Sequence, residues 1–179
     1  MFFYLFVFFY LLNVGFCIDT VTQLDLTKYQ GRWYQVYGDK FDQLFQKYGK
    51  CATADYTIIP SGNVSVLNSQ YSLMNELEQY SGYAYYRSII NSKLLPGELT
   101  VHLDGVPHDA PYSIINLGPE VSGLYDWAIV SDPAKLSLFV LTRDVNRFYS
   151  NYDTEVLSLL DNYGFDNIVK ISHNFCKYV

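Results

Sequence analysis

Short alternations of apolar and polar residues, each closed by turn residues, recur along the chain between residues 31 and 143. In "GRWYQVYG" (31–38), Trp33, Gln35 and Tyr37 share one face and Tyr34 and Val36 the other, the period of a pleated strand. Residues 51–59 and 64–73 flank "PSGN", which reads as a hairpin. Residues 80–90 are rich in tyrosine and run into "NSKLLPG". In "ELTVHLD", Leu99, Val101 and Leu103 oppose Thr100 and His102. "PYSIINLG", "LYDWAIVSD" and "LSLFVLTR" bring the strands to eight. This spacing predicts an antiparallel meander rather than βαβ units. A meander of this size closes into a barrel, because closure removes both edges. The expected fold is therefore all-β, an eight-stranded up-and-down antiparallel barrel.

One segment changes period. In "SNYDTEVLSLLDNYG", Tyr152, Val156, Leu159, Leu160 and Tyr163 recur at helical spacing. Ser150 stands three residues before Asp153 as in a capping box, and Gly164 stands where a helix stops. The pattern predicts a C-terminal helix near 150–163, its single apolar stripe packed on the outside of the barrel. "NIVKIS" (167–172) then offers a short last strand.

The N-terminus departs from both patterns. "MFFYLFVFFYLLNVGFC" is an apolar run interrupted by Asn13 and Gly15, shorter than the about 20 residues of a membrane span. It suits a secretory h-region, although it lacks a basic segment in front. Residues 1–17 are thus read as a signal peptide and 18–179 as one barrel domain, secreted and extracellular, with no membrane span after cleavage. "VGFC" has the outline of a lipobox, but Phe16 stands where a small residue belongs; removal of Cys17 is the reading preferred to its lipidation. Without Cys17, two cysteines remain, Cys51 and Cys176. In an oxidising compartment they pair, or else form two separate buried thiols. "NVS" makes Asn63 a glycosylation acceptor on an exposed turn.

Composition narrows the function. Half the residues are apolar, enough for one sizeable core, and 18 tyrosines stand beside 12 phenylalanines. The net charge of −6, without clustered Lys and Arg, argues against nucleic acid. No G-x-S-x-G, P-loop, dinucleotide glycine pattern or H-E-x-x-H occurs. His102, His108 and His173 are read as solvated or structural, so no catalytic residue, metal or cofactor is expected.

Three short motifs now carry a resemblance. "GRW" at Gly31–Trp33, "YD" at Tyr125–Asp126 and "LTR" ending at Arg143 resemble the signatures of the lipocalins, in their order and spacing. "GKCATADYTIIPSGNVSVLN" and "LYDWAIVSDPAKLSLFVLTRD" look most like the apolipoprotein D group, which includes bacterial and plant relatives. The resemblance implies a Cys51–Cys176 disulfide and Arg143 stacked on Trp33. Strand parity puts Trp33, Tyr125, Asp126 and Arg143 at one end of the barrel, a structural plug. The connections near 38–50, 73–80, 104–111 and 131–135 then ring an open mouth, where Phe41, Leu44 and Phe45 form an apolar lid or pack down on the barrel. A ligand in this calyx would meet Tyr37, Leu99, Val101, Leu103, Tyr112, Ile129 and Leu138, depending on register, because a slip of one residue turns a strand's set outward. Strands six to eight are apolar on both faces, so their inward side stays open. The function implied is carriage or sequestration of a small hydrophobic molecule such as a fatty acid, sterol or retinoid. The alternative is an interaction or inhibitory module acting through the mouth loops.

Overall fold

The structure, a computed structural model, describes residues 18–40, 49–87 and 95–178. The N-terminal apolar run with Cys17 and the lid residues Phe41, Leu44 and Phe45 lie outside the described residues.

Eight strands close the barrel: β1 (Gly31–Asp39), β2 (Lys50–Ile58), β3 (Val64–Tyr71), β4 (Leu77–Tyr86), β5 (Glu98–Leu103), β6 (Ala110–Leu117), β9 (Trp127–Ser131) and β10 (Leu138–Thr142). Each pairs antiparallel with its neighbours in chain order, and β10 returns to β1. Three boundaries differ from the pattern reading. The fourth strand starts earlier, at Leu77, and ends at Tyr86. The segment expected as a single seventh strand splits, because a small hairpin of β7 (Glu120–Val121) and β8 (Leu124–Tyr125) precedes β9. A one-turn helix, α1 (Leu26–Tyr29), crosses in front of β1; the Asp25 carboxylate caps it by accepting from the Thr27 N–H at 2.9 Å.

The C-terminal helix is two helices, α2 (Val145–Asn151) and α3 (Asp153–Tyr163), broken at Tyr152. The cap is Asp144, not Ser150: the Asp144 carboxylate accepts from the Arg147 N–H at 2.9 Å, while Ser150 lies inside α2. Gly164 ends α3 in the left-handed conformation at φ 79°, as its position suggested. The apolar stripe of Phe148, Val156 and Leu160 is fully buried against the outer faces of β1, β6, β9 and β10. Each such side chain contributes about 1.5–3 kcal/mol.

This second layer explains why β9 and β10 are apolar on both faces. Ala128, Val130, Phe139 and Leu141 line the barrel interior, whereas Trp127, Ile129, Leu138 and Val140 lie beneath the helices. Ile129 and Leu138 are therefore part of the outer layer and not of the calyx. Tyr37 joins them. A bulge between Gln35 and Tyr37 breaks the alternation of β1, so Val36 and Tyr37 both pack on the helix side.

The C-terminal tail completes the wall. β1 pairs with β2 only as far as Tyr34, opposite Thr53. Beyond that point the two strands diverge, and β11 (Ile168–Lys170) takes the vacated edge, with Tyr37 opposite Lys170 and Asp39 opposite Ile168. The Ile171 N–H donates to the Val36 carbonyl and the Cys51 N–H to the Ser172 carbonyl, at 2.9 and 2.8 Å. The tail thus bridges both sides of the split. Cys51 and Cys176 are joined in a disulfide, with Cα atoms 5.6 Å apart. His173 adds a polar pin. A carbonyl only accepts, so Nε2 carries the proton and donates to the Gln35 carbonyl at 2.8 Å. Nδ1 then accepts from the Tyr178 hydroxyl at 2.6 Å.

Two outcomes are expected. The Cys51–Cys176 bridge closes a loop of 125 positions, so Cys176→Ser should lower unfolding stability by about 2–5 kcal/mol in urea melts of the oxidised protein. Burial holds the His173 imidazole below its ordinary value of 6.5. The unfolded chain then binds a proton that the fold refuses, so this contribution is full above pH 6.5 and is lost as pH falls below it. Replacing it in His173→Gln should make the wild-type-minus-variant stability difference shrink with acidification over that window.

Candidate functional site

One end of the barrel is plugged by a half-buried cation, Arg143. Trp33 is fully buried, and its indole N–H donates to the Tyr29 carbonyl at 2.8 Å. The Arg143 guanidinium lies 3.7 Å from the ring centroid of Trp33. It donates to five carbonyls: Tyr125, Arg32, Lys28, Tyr29 and Gln30. Gly31 has φ 94°, and a Cβ there would stand 3.3 Å from Arg143 Nη1, so both conformation and space favour glycine. The Tyr125 hydroxyl accepts from the Asp25 N–H at 3.2 Å. Asp126 is buried and clasped by Nε and Nη2 of Arg147, while its own carbonyl accepts from the Arg143 N–H. Desolvation pushes the Arg143 pKa down to about 10. Gly31, Trp33, Tyr125, Asp126 and Arg143 thus meet at one end.

Above this plug lies the interior. Cross-strand pairing sets the inward positions: Ala54 opposes Asn68, Asn68 opposes Tyr80, Ala84 opposes Val101, and Leu99 opposes Tyr112. Of the residues expected in the calyx, Leu99, Val101, Leu103 and Tyr112 belong to the interior cluster. Tyr37, Ile129 and Leu138 do not, and the Tyr37 hydroxyl instead donates to the Asp153 carboxylate of α3 at 2.7 Å. The floor of the interior holds a cavity of about 20 Å³, lined by Leu26, Val64, Ala84, Leu99, Val101 and Ile114 together with three tyrosines.

Those tyrosines, Tyr29, Tyr56 and Tyr112, form a chain of phenols. The Tyr112 oxygen lies 2.7 Å from that of Tyr29 and 3.1 Å from that of Tyr56, and the rings of Tyr29 and Tyr56 stack at 5.8 Å. Desolvation pushes Tyr56 up to about 12 and raises Tyr29 and Tyr112 well above the ordinary phenol range, so all three stay protonated. Sequence reading found Tyr112 but neither Tyr29 nor Tyr56. Tyr56 was within reach: Ala52, Ala54 and Tyr56 alternate with Thr53 and Asp55 in "CATADYT". Tyr29 sits in α1, too short for a periodic signal.

The half of the interior nearer the mouth is more polar. The inward strand positions there include Gln35, Asn68, Gln70, Glu78 and Tyr80, and the Gln70 amide donates to the Glu78 carboxylate at 2.9 Å. The mouth turns expose apolar side chains: Leu73, Met74, Val106 and Leu136. His102 lies on the outer wall beside Asp109, at 2.8 Å. Among the described residues no cluster of three or more His, Cys, Asp or Glu could hold a metal ion. A separate open cleft of about 810 Å³ lies outside the barrel between α2 and the tail, walled by Tyr34, Tyr149, Lys170, His173 and Tyr178. Its imidazole is already bonded at both nitrogens, and Lys170 Nζ rests 3.6 Å from the centre of the Tyr149 ring.

Comparison with known proteins agrees with this architecture. Residues 24–168 match the model of the lipocalin-like domain family. The chain is 33% identical over 105 residues to apolipoprotein D of Mus musculus, a match covering 58% of this chain and 52% of that protein. The chain therefore spans about half the length of this relative. It is 32% identical over 127 residues to the outer membrane lipoprotein Blc of Vibrio cholerae, covering 70% of this chain and 68% of Blc. Among solved structures, apocrustacyanin C2 superposes with a TM-score of 0.63 at 18% identity, over 84% of this chain and 81% of that one. The amine binding protein of Rhodnius prolixus, in its tryptamine complex, gives 0.61 at 14% identity over 90% of each chain. At these identities the two structures speak to the fold alone.

Arg143 contributes more than a stacked charge, because five carbonyls lose a donor without it, although that of Tyr29 keeps the Trp33 indole. Arg143→Lys, which keeps the charge but not the fork of donors, should cost about 2–4 kcal/mol in urea melts. Trp33→Ala should cost about 3–5 kcal/mol. A lysine variant as stable as wild type would show that the carbonyl network is dispensable.

Proposed function

Because this chain belongs to the lipocalin family, we propose that it carries or sequesters a small hydrophobic molecule inside the barrel. The family consists of binding and transport proteins rather than enzymes. The observation that carries the reading is the layering of the interior: one end plugged by Trp33 and Arg143 and an apolar lower half above that plug. Leu99, Val101, Leu103 and Tyr112 are the proposed contacts. A lipid-sized ligand needs about 300 Å³ or more. The floor cavity is far smaller, so binding entails movement of lumen side chains such as Leu103, Tyr86 and Phe139. Among the structural neighbours, the Rhodnius protein holds tryptamine.

Secretion belongs to the same proposal. Residues 1–17 act as a signal peptide that removes Cys17, residues 18–179 form the mature domain, and Asn63, on the β2–β3 turn, accepts a glycan. The Cys51–Cys176 disulfide fits an oxidising compartment. No helix among the described residues is long and apolar enough to cross a membrane. A second reading draws on the exposed Leu73, Met74 and Leu136 at the mouth: a module that binds another protein through these loops.

Mass spectrometry of an organic extract of the purified protein tests the first reading. A recurrent apolar compound is expected. Leu103→Trp, which fills the lumen, should weaken uptake of a fluorescent lipid at least tenfold while moving the urea midpoint little. An empty extract with no uptake by wild type would shift the weight to the loop-binding reading.

A further inference from the structure

The cleft outside the barrel has the size of a ligand site. Its volume of about 810 Å³ falls within the about 300–1,000 Å³ typical of small-molecule pockets. Polar and apolar surface both face it. Its aromatic walls are already fixed. Tyr34 meets Tyr178 edge to face at 4.8 Å and His173 at 6.1 Å. The Tyr178 hydroxyl donates to His173 Nδ1, and the Tyr149 hydroxyl to the Val36 carbonyl at 3.4 Å. The bond from His173 Nε2 to the Gln35 carbonyl and the Cys51–Cys176 disulfide hold the tail side of the cleft on the barrel wall. Little is left to order when a molecule enters.

The charges on the lining do not balance. Asp144 is compensated: its Oδ1 accepts from the Arg147 N–H, and its Oδ2 lies 3.5 Å from Arg147 Nη1. Asp153, whose charge reaches Tyr149, accepts from the Tyr37 hydroxyl. Arg143 directs its donors at the carbonyls of the plug. Lys170 has no such partner among the described residues. Its ammonium rests on the Tyr149 ring, 3.6 Å from the centroid, and no carboxylate lies within salt-bridge distance. A ring face attracts an ammonium but offers it no lone pair, so its N–H donors remain for an anion. The side-chain amides of Asn146 and Asn174, also on the lining, have no protein partner among the described residues either.

We infer that this cleft is a second binding site, separate from the calyx, for a small aromatic acid. The carboxylate meets Lys170, and the ring lies against Tyr34 and Tyr178. An amine of the same shape would meet Lys170 as a like charge. The wall of β1 divides the two sites, because Tyr34 lines the outer cleft whereas its neighbour Trp33 belongs to the interior cluster. The outer site therefore does not depend on the carrier reading.

Naphthoate, naphthamide and naphthylmethylamine share one ring system and differ in charge. Each is titrated at neutral pH into the isotope-labelled full-length protein while backbone amides are followed by NMR. Naphthoate should shift the amides of residues 145–149 and 170–174 and leave those of the lumen strand, 99–103, in place. Lys170→Met keeps the aliphatic stem and loses the charge. It should bind naphthoate about tenfold more weakly than wild type, the worth of one hydrogen bond to a charged group. Lys170→Arg should keep most of the affinity, and naphthamide should lose little in Lys170→Met. Wild type should bind naphthylmethylamine more weakly than naphthoate. Lys170 is exposed, so its replacement leaves the core intact. Should Lys170→Met nevertheless fail to fold, the location of the shifts and the order of acid over amine on wild type decide the matter. Shifts confined to residues 99–103, equal naphthoate affinity in wild type and Lys170→Met, a preference for the amine, or no shift at millimolar naphthoate would overturn the inference. None of these outcomes bears on the carrier reading.

Discussion

A guanidinium taken out of water is costly, and the closed end of this barrel is organised around meeting that cost. Arg143 finds its compensation in an indole face and in carbonyls from two separated stretches, residues 28–32 and Tyr125. Those carbonyls are free to accept because α1 ends just before β1 and the chain turns at Gly31. One side chain therefore ties the entry of the first strand, the hairpin before β9 and the exit of β10. One cluster of bonds thus holds the closed end of the barrel together.

Much of this architecture is legible in the chain. Strands with one wet face, such as Leu99–Val101–Leu103 against Thr100 and His102, announce their register through simple alternation. Where both faces are buried the signal vanishes. β9 and β10 are sandwiched between lumen and helices, so hydrophobicity does not tell Ile129 from Val130. Tyr37 is a different kind of miss. A bulge shifts register by one residue, and no change of composition marks it, so a tyrosine in phase with Trp33 ends up against α3. The helix was visible by its period, but its true start was not. Asp144 caps through its carboxylate, whereas the Ser150–Asp153 pair only imitates a cap in sequence.

The two layers also divide the labour among the aromatic residues. Outside, Phe148, Tyr149 and Tyr37 meet edge to face and fix the helices to the wall. Inside, Tyr29, Tyr56 and Tyr112 turn their polar tips toward one another. The same residue type thus serves as anchor in one layer and as a buried chain of phenols in the other, and only the partner of each hydroxyl distinguishes the two uses.

The split between β1 and β2 has a consequence for when the molecule can be finished. Half of that seam is bridged by residues 168–173 and locked through Cys176, 125 positions after Cys51. During synthesis the earlier residues emerge first, so the first two strands wait with one flank unpaired until residues 168–176 arrive. Assembly of the wall is thereby a late event in the life of each copy. An exposed strand flank invites pairing with other chains meanwhile.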